Sequence, residues 1–197
     1  MSKYGRIVIC KECGDSNRHA GHGLCLRCYS RRWRVQHGTA CRTVPPEPAR
    51  VSTETAAYAA GVVDSDGCIR IAKIVRTGMT SPTFRMAVTV ALCDRPVLDF
   101  LREQFGGSLF LRDRSRLRNH RDIWCWAAQD RRGEQVLRAI LPYLILKRQQ
   151  AELALRLRSS YYQARRAQRR CTAGDLEERA RLWQEIKGLN SGRRGHH

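Results

Sequence analysis

The sequence predicts an α+β domain preceded by a small metal-stapled module, and three observations carry that prediction. Between residues 53 and 169 the hydrophobic pattern alternates between helical and strand periodicity in the order α-β-β-α-β-β-α-α. Two Cys-x-x-Cys pairs lie near the N-terminus, cut off from that region by a proline-rich stretch. The chain has 197 residues, 42% of them hydrophobic, which suffices for one ordinary domain with a real core and a small satellite.

The charge narrows the class of partner. Lys and Arg number 37 against 18 acidic residues, a formal net charge of +19. Solubility alone asks for a net charge of only about 2 to 8, so a polyanion partner is expected. Arginine dominates the basic residues, and its planar fork suits phosphate and guanine. No apolar run reaches the roughly 18 residues of a membrane span, and Met1-Ser-Lys-Tyr-Gly-Arg6 lacks the apolar stretch of a signal peptide. An intracellular protein is expected, with no membrane partner. The nine cysteines are an odd count, four of them in Cys-x-x-Cys pairs, which in a reducing compartment favours metal over disulfides.

Residues 1–38 are expected to form the metal-binding module. Cys10-Lys-Glu-Cys13 and Cys25-Leu-Arg-Cys28 enclose eleven residues that include Gly14, Gly21 and Gly23. Each pair puts two thiolates on one tight knuckle, and the two knuckles supply the four soft ligands of a closed structural Zn²⁺ site. So short a segment buries too little apolar surface to fold alone, so the metal is expected to provide much of its stability. His19 and His22 could replace a cysteine but are better placed as solvent or phosphate contacts. Tyr29-Ser-Arg-Arg-Trp-Arg34 is expected to form a short helix presenting Arg31, Arg32 and Arg34 to DNA, with Trp33 either capping the small core or touching DNA. Residues 39–52 contain three prolines within Pro45–Pro48 and are expected to be an extended linker.

The larger domain is expected over 53–170. Ser52 is a plausible N-cap and Glu54 a favourable first-turn residue for a helix rich in alanine. Gly61 inside that helix costs about 1 kcal/mol relative to Ala, which a close approach by another backbone would explain. The chain has one such helix, so the partner would be a second copy meeting Ala57, Ala60 and Gly61. Strands follow at Cys68–Arg76 and Thr83–Ala91, and alternation along the first puts Cys68, Arg70, Ala72, Ile74 and Arg76 on one face and Ile69, Ile71 and Val75 on the other. A helix capped by Asp94, with Val97, Leu98, Leu101 and Phe105 on one face, stops at Gly106-Gly107. Strands at Ser108–Arg112 and Ile123–Ala128 precede helices near Arg131–Leu141 and Leu146–Arg169. Residues 171–197 are expected to form a last amphipathic helix, Asp175–Leu189, with Leu176, Ala180, Trp183 and Ile186 on one face, and a basic tail.

Two resemblances can now be stated. The stretch from Gly23 to Arg34 is similar to the cysteine knuckles found beside phage and bacterial nuclease domains. Residues 53–160 resemble the single-motif LAGLIDADG homing endonucleases, whose core has the same element order. The motif runs from Ala59 to Gly67: Ala59 stands for the usual Leu, Val62-Val63 for the apolar pair, and Asp64-Ser65-Asp66-Gly67 for the acidic end. Asp94–Gly107 and Leu141–Leu155 are also similar to the family and occur in the right order.

The resemblance implies an αββαββα core whose antiparallel sheet lies in the major groove of double-stranded DNA. It implies that Asp66, with the Ser65 carbonyl, holds a catalytic Mg²⁺ at the scissile phosphate, and that Lys147 borders the cleavage centre. Asp64 matches a less directly catalytic position and is expected to shape the turn. Arg70, Arg76, Arg85, Arg112, Arg114 and Arg116 are the expected DNA contacts of the sheet. One motif per chain implies a homodimer and a near-palindromic target, in the cytoplasm of a bacterial or phage-infected cell and associated with the nucleoid. Many relatives carry Gln where this chain has Leu92. The expected function is therefore a site-specific double-stranded DNA endonuclease; the alternative is a non-cleaving binder on the same fold, either an RNA-binding intron-splicing maturase or a transcription regulator.

Overall fold

The computed structural model describes residues 7–25, 27–29, 32, 45–78, 81–112, 122–167 and 171–192. The chain divides into two compact units, Met1–Arg42 and Thr43–His197. The first holds a three-stranded antiparallel sheet of β1 (Ile7–Ile9), β2 (Ser16–Gly21) and β3 (Leu24–Cys25), in the order β1-β2-β3. These short strands are not legible in the sequence pattern. Two turns link them, with Gly14 at φ +73° and Gly23 at φ +74°, left-handed values that favour glycine. Among the described residues of this unit Cys10, Leu24, Cys25 and Cys28 are buried, with Tyr29 packed against them.

The second unit opens with α1 (Thr53–Asp66), capped by the Ser52 hydroxyl, which accepts from Thr55 N at 3.2 Å. Strands β4 (Gly67–Ile74) and β5 (Thr83–Leu92), helix α2 (Pro96–Phe105), and strands β6 (Ser108–Arg112) and β7 (Ile123–Gln129) follow. Then come α3 (Asp130–Ile140), a 3₁₀ turn over Leu141–Tyr143, α4 (Arg148–Arg166) and α5 (Ala173–Ser191). The N-cap of α2 is Arg95 rather than the expected Asp94, with no side-chain capping bond; Pro96 in the first turn supplies the fixed φ that starts the helix. Gly107, at φ +99°, is required twice over, because a Cβ there would lie 2.7 Å from Ala127 O.

The four long strands form an antiparallel sheet in the order β4-β5-β7-β6. Strand period and register sort their side chains between two faces. Ile69, Ile71, Met86, Val88, Val90, Trp126 and Ala128 occupy one face and are buried. Leu98, Leu101 and Phe105 of α2, Val136, Leu137 and Ile140 of α3, and Ala154 and Leu157 of α4 join them in a single core. Trp126 also donates from Nε1 to Gly106 O at 2.8 Å, which pins the turn before β6. Val75, expected in phase with Ile69 and Ile71, lies past the end of β4 and is 73% exposed.

Two boundaries differ from the sequence expectation. The C-terminal half of the expected linker belongs to the larger unit: Ala49 N donates to Gln135 O at 3.1 Å, and Ala49 and Val51 pack on the core. Helix α5 is also part of that core. Its Leu182 and Ile186 are buried, and Asn190 Nδ2 donates to Ile69 O at 3.0 Å. The buried stripe is Asp175, Arg179, Leu182 and Ile186, rotated from the expected Leu176, Ala180, Trp183 and Ile186. Thr172 and Asp175 close a capping box at its start.

Candidate active site and nucleic-acid interface

The C-terminus of α1 is the best-built polar region of the larger unit. A helix end leaves carbonyls without intrahelical partners. Here the Lys147 ammonium donates to Val63 O at 2.7 Å, Asp64 O at 2.7 Å and Ser65 O at 3.3 Å. The reciprocal contact is as complete. The Asp64 carboxylate accepts from the backbone N–H groups of Ile145 (2.7 Å), Leu146 (3.1 Å) and Lys147 (2.8 Å), just before α4 begins. A cation thus closes the negative end of one helix dipole and an anion sits at the positive end of the other. Arg148 stiffens the same turn by donating to Leu144 O and Pro142 O.

This double clamp holds two of the expected site residues. Lys147 is only 9% exposed, and an ammonium has three hydrogens, each directed here at a carbonyl. It therefore braces the acidic turn at the end of α1. Asp64 likewise spends both carboxylate oxygens on backbone donors, which ties the end of α1 to the chain just before α4.

Asp66 is left as the exposed acid. It ends α1, and its carboxylate accepts from the Ser65 hydroxyl at 2.9 Å. It pairs with no Lys or Arg among the described residues. Gly67 allows the sharp passage from helix to strand, since a Cβ there would lie 2.6 Å from Val63 O. The donor set is hard: one free carboxylate and the Ser65 carbonyl, which keeps a second lone pair beside its contact with Lys147. It fits Mg²⁺, which is held by one or two carboxylates while keeping several waters.

From Asp66 the open face of the sheet begins. Register places Cys68, Thr89, Ala127 and Ser108 in one row across it, Arg70, Ala87 and Gln129 in the next, and Ala72 and Arg85 in a third. Arg112 and Ile123 share the face at the opposite end, and Arg76 follows β4. Arg70, Arg76 and Arg112 are exposed and pair with no carboxylate among the described residues. Arg85 is held by Asp130, with Nε donating to Oδ2 at 2.8 Å. Small residues, Ala87, Cys125 and Ala127, line the middle. Arg114 and Arg116 lie outside the described residues, as do Arg31 and Arg34; Arg32 is exposed.

Gln129 and Asp130 were missed in the sequence. Gln129 is in strand phase with Cys125 and Ala127, so the alternation of β7 would have placed it on the open face. The same geometry puts the tryptophans on the helix-covered face: Trp126 is fully buried, and Trp124 shares its face, with the Arg95 guanidinium 4.8 Å from its ring centroid.

The exposed side of α1 carries Ala57, Tyr58 and Gly61. Nothing lies within 4 Å of the place a Gly61 Cβ would occupy, so its own chain gives no steric reason for glycine. Ala60 does not belong to that side. It is 0% exposed and faces its own core, 100° around the helix from Gly61, which removes it from any interface with a second copy.

In the smaller unit the Sγ atoms of Cys10, Cys13, Cys25 and Cys28 all lie within 4.8 Å of one another. A tetrahedron with Zn–S bonds of about 2.3 Å has sulfur edges of roughly 3.8 Å, and Cys13 and Cys25 are 3.8 Å apart. The first knuckle is a tight turn in which Gly14 N donates to Cys10 O at 2.8 Å. Hydrogen bonds from the backbone of Cys25 and Cys13 pull the Cys10 thiol down to about 6, while burial and the neighbouring thiols push Cys28 up to about 12. The four ligands fit a structural zinc ion.

No protein-family model matches the chain, and no curated protein matches its sequence. Solved structures do. The homing endonuclease I-CvuI, in complex with its target, superposes with a TM-score of 0.57 at 25% identity, over 69% of this chain and 82% of that one. An archaeal intron-encoded homing endonuclease complexed with DNA gives 0.57 at 10% identity, over 69% and 84%. The group I intron-encoded I-CeuI, also complexed with DNA, gives 0.52 at 13% identity, over 82% of each chain. The chain thus has the mixed helix and antiparallel-sheet fold of DNA-binding homing endonucleases, with a four-cysteine cluster in its N-terminal region.

Proposed function

We propose that the protein is a metal-dependent, site-specific endonuclease of double-stranded DNA that works as a homodimer. The observation that carries this reading is Asp66: an exposed carboxylate with no paired cation among the described residues, held at the edge of an arginine-bearing open sheet in a chain of net charge +19. A protein selected only to bind phosphate would gain affinity by losing that charge. Asp66 and the Ser65 carbonyl would hold Mg²⁺, which when bound stabilises charge on the scissile phosphate and activates an attacking water. The clamp of Asp64 and Lys147 fixes the turn that presents Asp66. Arg70, Arg76 and Arg112 hold the duplex, and neutralising several phosphates per subunit makes affinity fall steeply with salt.

Each chain presents one such carboxylate, and cutting two strands takes two. The open side of α1, with Ala57 and Gly61, supports contact with a second copy, and a twofold dimer reads a near-palindromic site. The test is selection of cut sites from a randomised duplex library with Mg²⁺. The wild type should enrich one near-palindromic site. Asp66→Asn should lose cleavage by on the order of 10³-fold or more, with the melting temperature and DNA affinity retained; undiminished cutting by this variant would refute the role of Asp66.

One observation favours a non-cutting binder. Leu92 stands across from Trp124 on the helix-covered face, so this position brings no polar group toward Asp66. Tight RNA binding with no enriched cut site would select the maturase reading.

A further inference from the structure

The pair formed by Arg85 and Asp130 has no place in the mechanism above. Arg85 projects from β5 on the open face, in the row of Ala72, and its side chain is 43% exposed. Asp130, 30% exposed, follows the last residue of β7 and opens α3. Both Nε and Nη2 of Arg85 donate to Asp130 Oδ2. Asp130 holds φ +48°, a left-handed conformation uncommon for a non-glycine residue. Glycine would take that backbone more readily, although an acid in the first turn of α3 also complements the helix dipole. A negative charge on a face that receives phosphate also opposes affinity. Both costs call for a compensating role.

The geometry of the guanidinium suggests that role. Arginine has five N–H donors in a planar fork, and Asp130 engages its Nε–Nη2 edge. The Nη1–Nη2 end is left to point along the side chain, and this end matches O6 and N7 of guanine in the major groove. An arginine held side-on by a carboxylate loses rotamer freedom before it meets DNA, so less entropy is lost on binding. We infer that Arg85 reads a guanine in each half-site and that Asp130 is the residue that positions it. This inference rests on the DNA-binding reading above. It also sets the place of the guanine. From Asp66 to Ala72 is six residues of strand rise, about 20 Å, or about six base pairs at 3.4 Å each, outward from the cut.

The experiment is selection of bound duplexes in Ca²⁺ by the full-length protein, comparing wild type with Arg85→Ala, Asp130→Ala and Asp130→Asn. Asp130→Asn tolerates the left-handed backbone and guards against misfolding; equal melting temperatures certify the set. Preference for one guanine per half-site should fall by about 10-fold in Asp130→Ala and at least as far in Arg85→Ala. Affinity of Asp130→Ala for non-cognate duplex should rise, because a negative charge is gone. The double variant should match Arg85→Ala in specificity. If Asp130→Ala and Asp130→Asn keep the wild-type sequence preference at every position, or weaken all sequences equally, the inference is overturned while the endonuclease reading stands. If the wild type itself selects no sequence, both fall.

Discussion

The two units are held together in opposite ways. The larger has one continuous apolar core that draws on three strands and five helices, from Ala59 in α1 to Ile186 in α5. Among the described residues the smaller buries four, three of which are cysteines of the proposed zinc site. In the first, the free energy of folding is spread over many contacts, so no single group decides it. In the second, under the proposed zinc site, it would be concentrated on one ion and its four bonds. Sensitivity to a single change should therefore grade from the knuckles, through the helix clamp, to the open side of α1.

The largest effect is expected at the knuckles. Structural zinc in modules of this kind contributes about 10–16 kcal/mol, more than so small a core can replace. A strong chelator, or Cys25→Ser, should abolish amide exchange protection of β1–β3 and leave β4–β7 protected as before. Metal analysis should find one zinc per chain before treatment. Thiols must lose their protons to bind, and with Cys28 raised to about 12 that proton is still in place at neutral pH. Zinc loading should therefore release protons, and affinity should rise with pH. Protection of β1–β3 that survives metal removal would break the comparison, since it would mean the small core folds unaided.

An intermediate effect is expected at the clamp. Lys147→Met keeps the hydrophobic stem and the backbone bond from residue 147 to Asp64, but leaves three carbonyls at the end of α1 without their cation. Hydrogen bonds to charged groups contribute about 1.5–3 kcal/mol net, so a loss of about 2 kcal/mol, or roughly 5 °C in a unit of this size, should follow. A positioning role also predicts that the Mg²⁺ concentration for half-maximal cleavage rises, because Asp66 is held less firmly. A variant with unchanged metal dependence and a large fall in maximal rate would instead restore Lys147 to the cleavage centre.

The sequence made the larger unit legible because its elements carry their own local signals. Period 2 in β4 and β5, Gly106-Gly107 after α2 and Ser52 before α1 each act within a few residues, and the observed bounds fall close to the expected ones. What it hid are contacts between distant residues. Asp64 and Lys147 are separated by more than 80 positions and Arg85 and Asp130 by 45, and no periodicity announces such pairs. The face of Ala60 was also hidden, since alanines at 56, 57, 59 and 60 surround α1 and leave no apolar stripe to orient it. The strands of the smaller unit carry no alternation because the thiols, not apolar residues, form its core.

The smallest effect on folding, and the sharpest on assembly, is expected at Gly61. Its Cβ would meet nothing in its own chain, so Gly61→Ala removes only the backbone entropy penalty and should stabilise the larger unit by up to about 1 kcal/mol. Gly61→Leu should be tolerated by the isolated fold for the same reason. In the dimer, however, that side of α1 would face its twin, and helices approach to 8–10 Å only where the contacting side chains permit it. Gly61→Leu should therefore keep the melting temperature of the fold and sediment as a monomer, with cleavage lost because a single Asp66 cannot cut both strands. A Gly61→Leu dimer that still cuts would place the interface elsewhere and leave the glycine without a reason, since nothing within its own chain requires it.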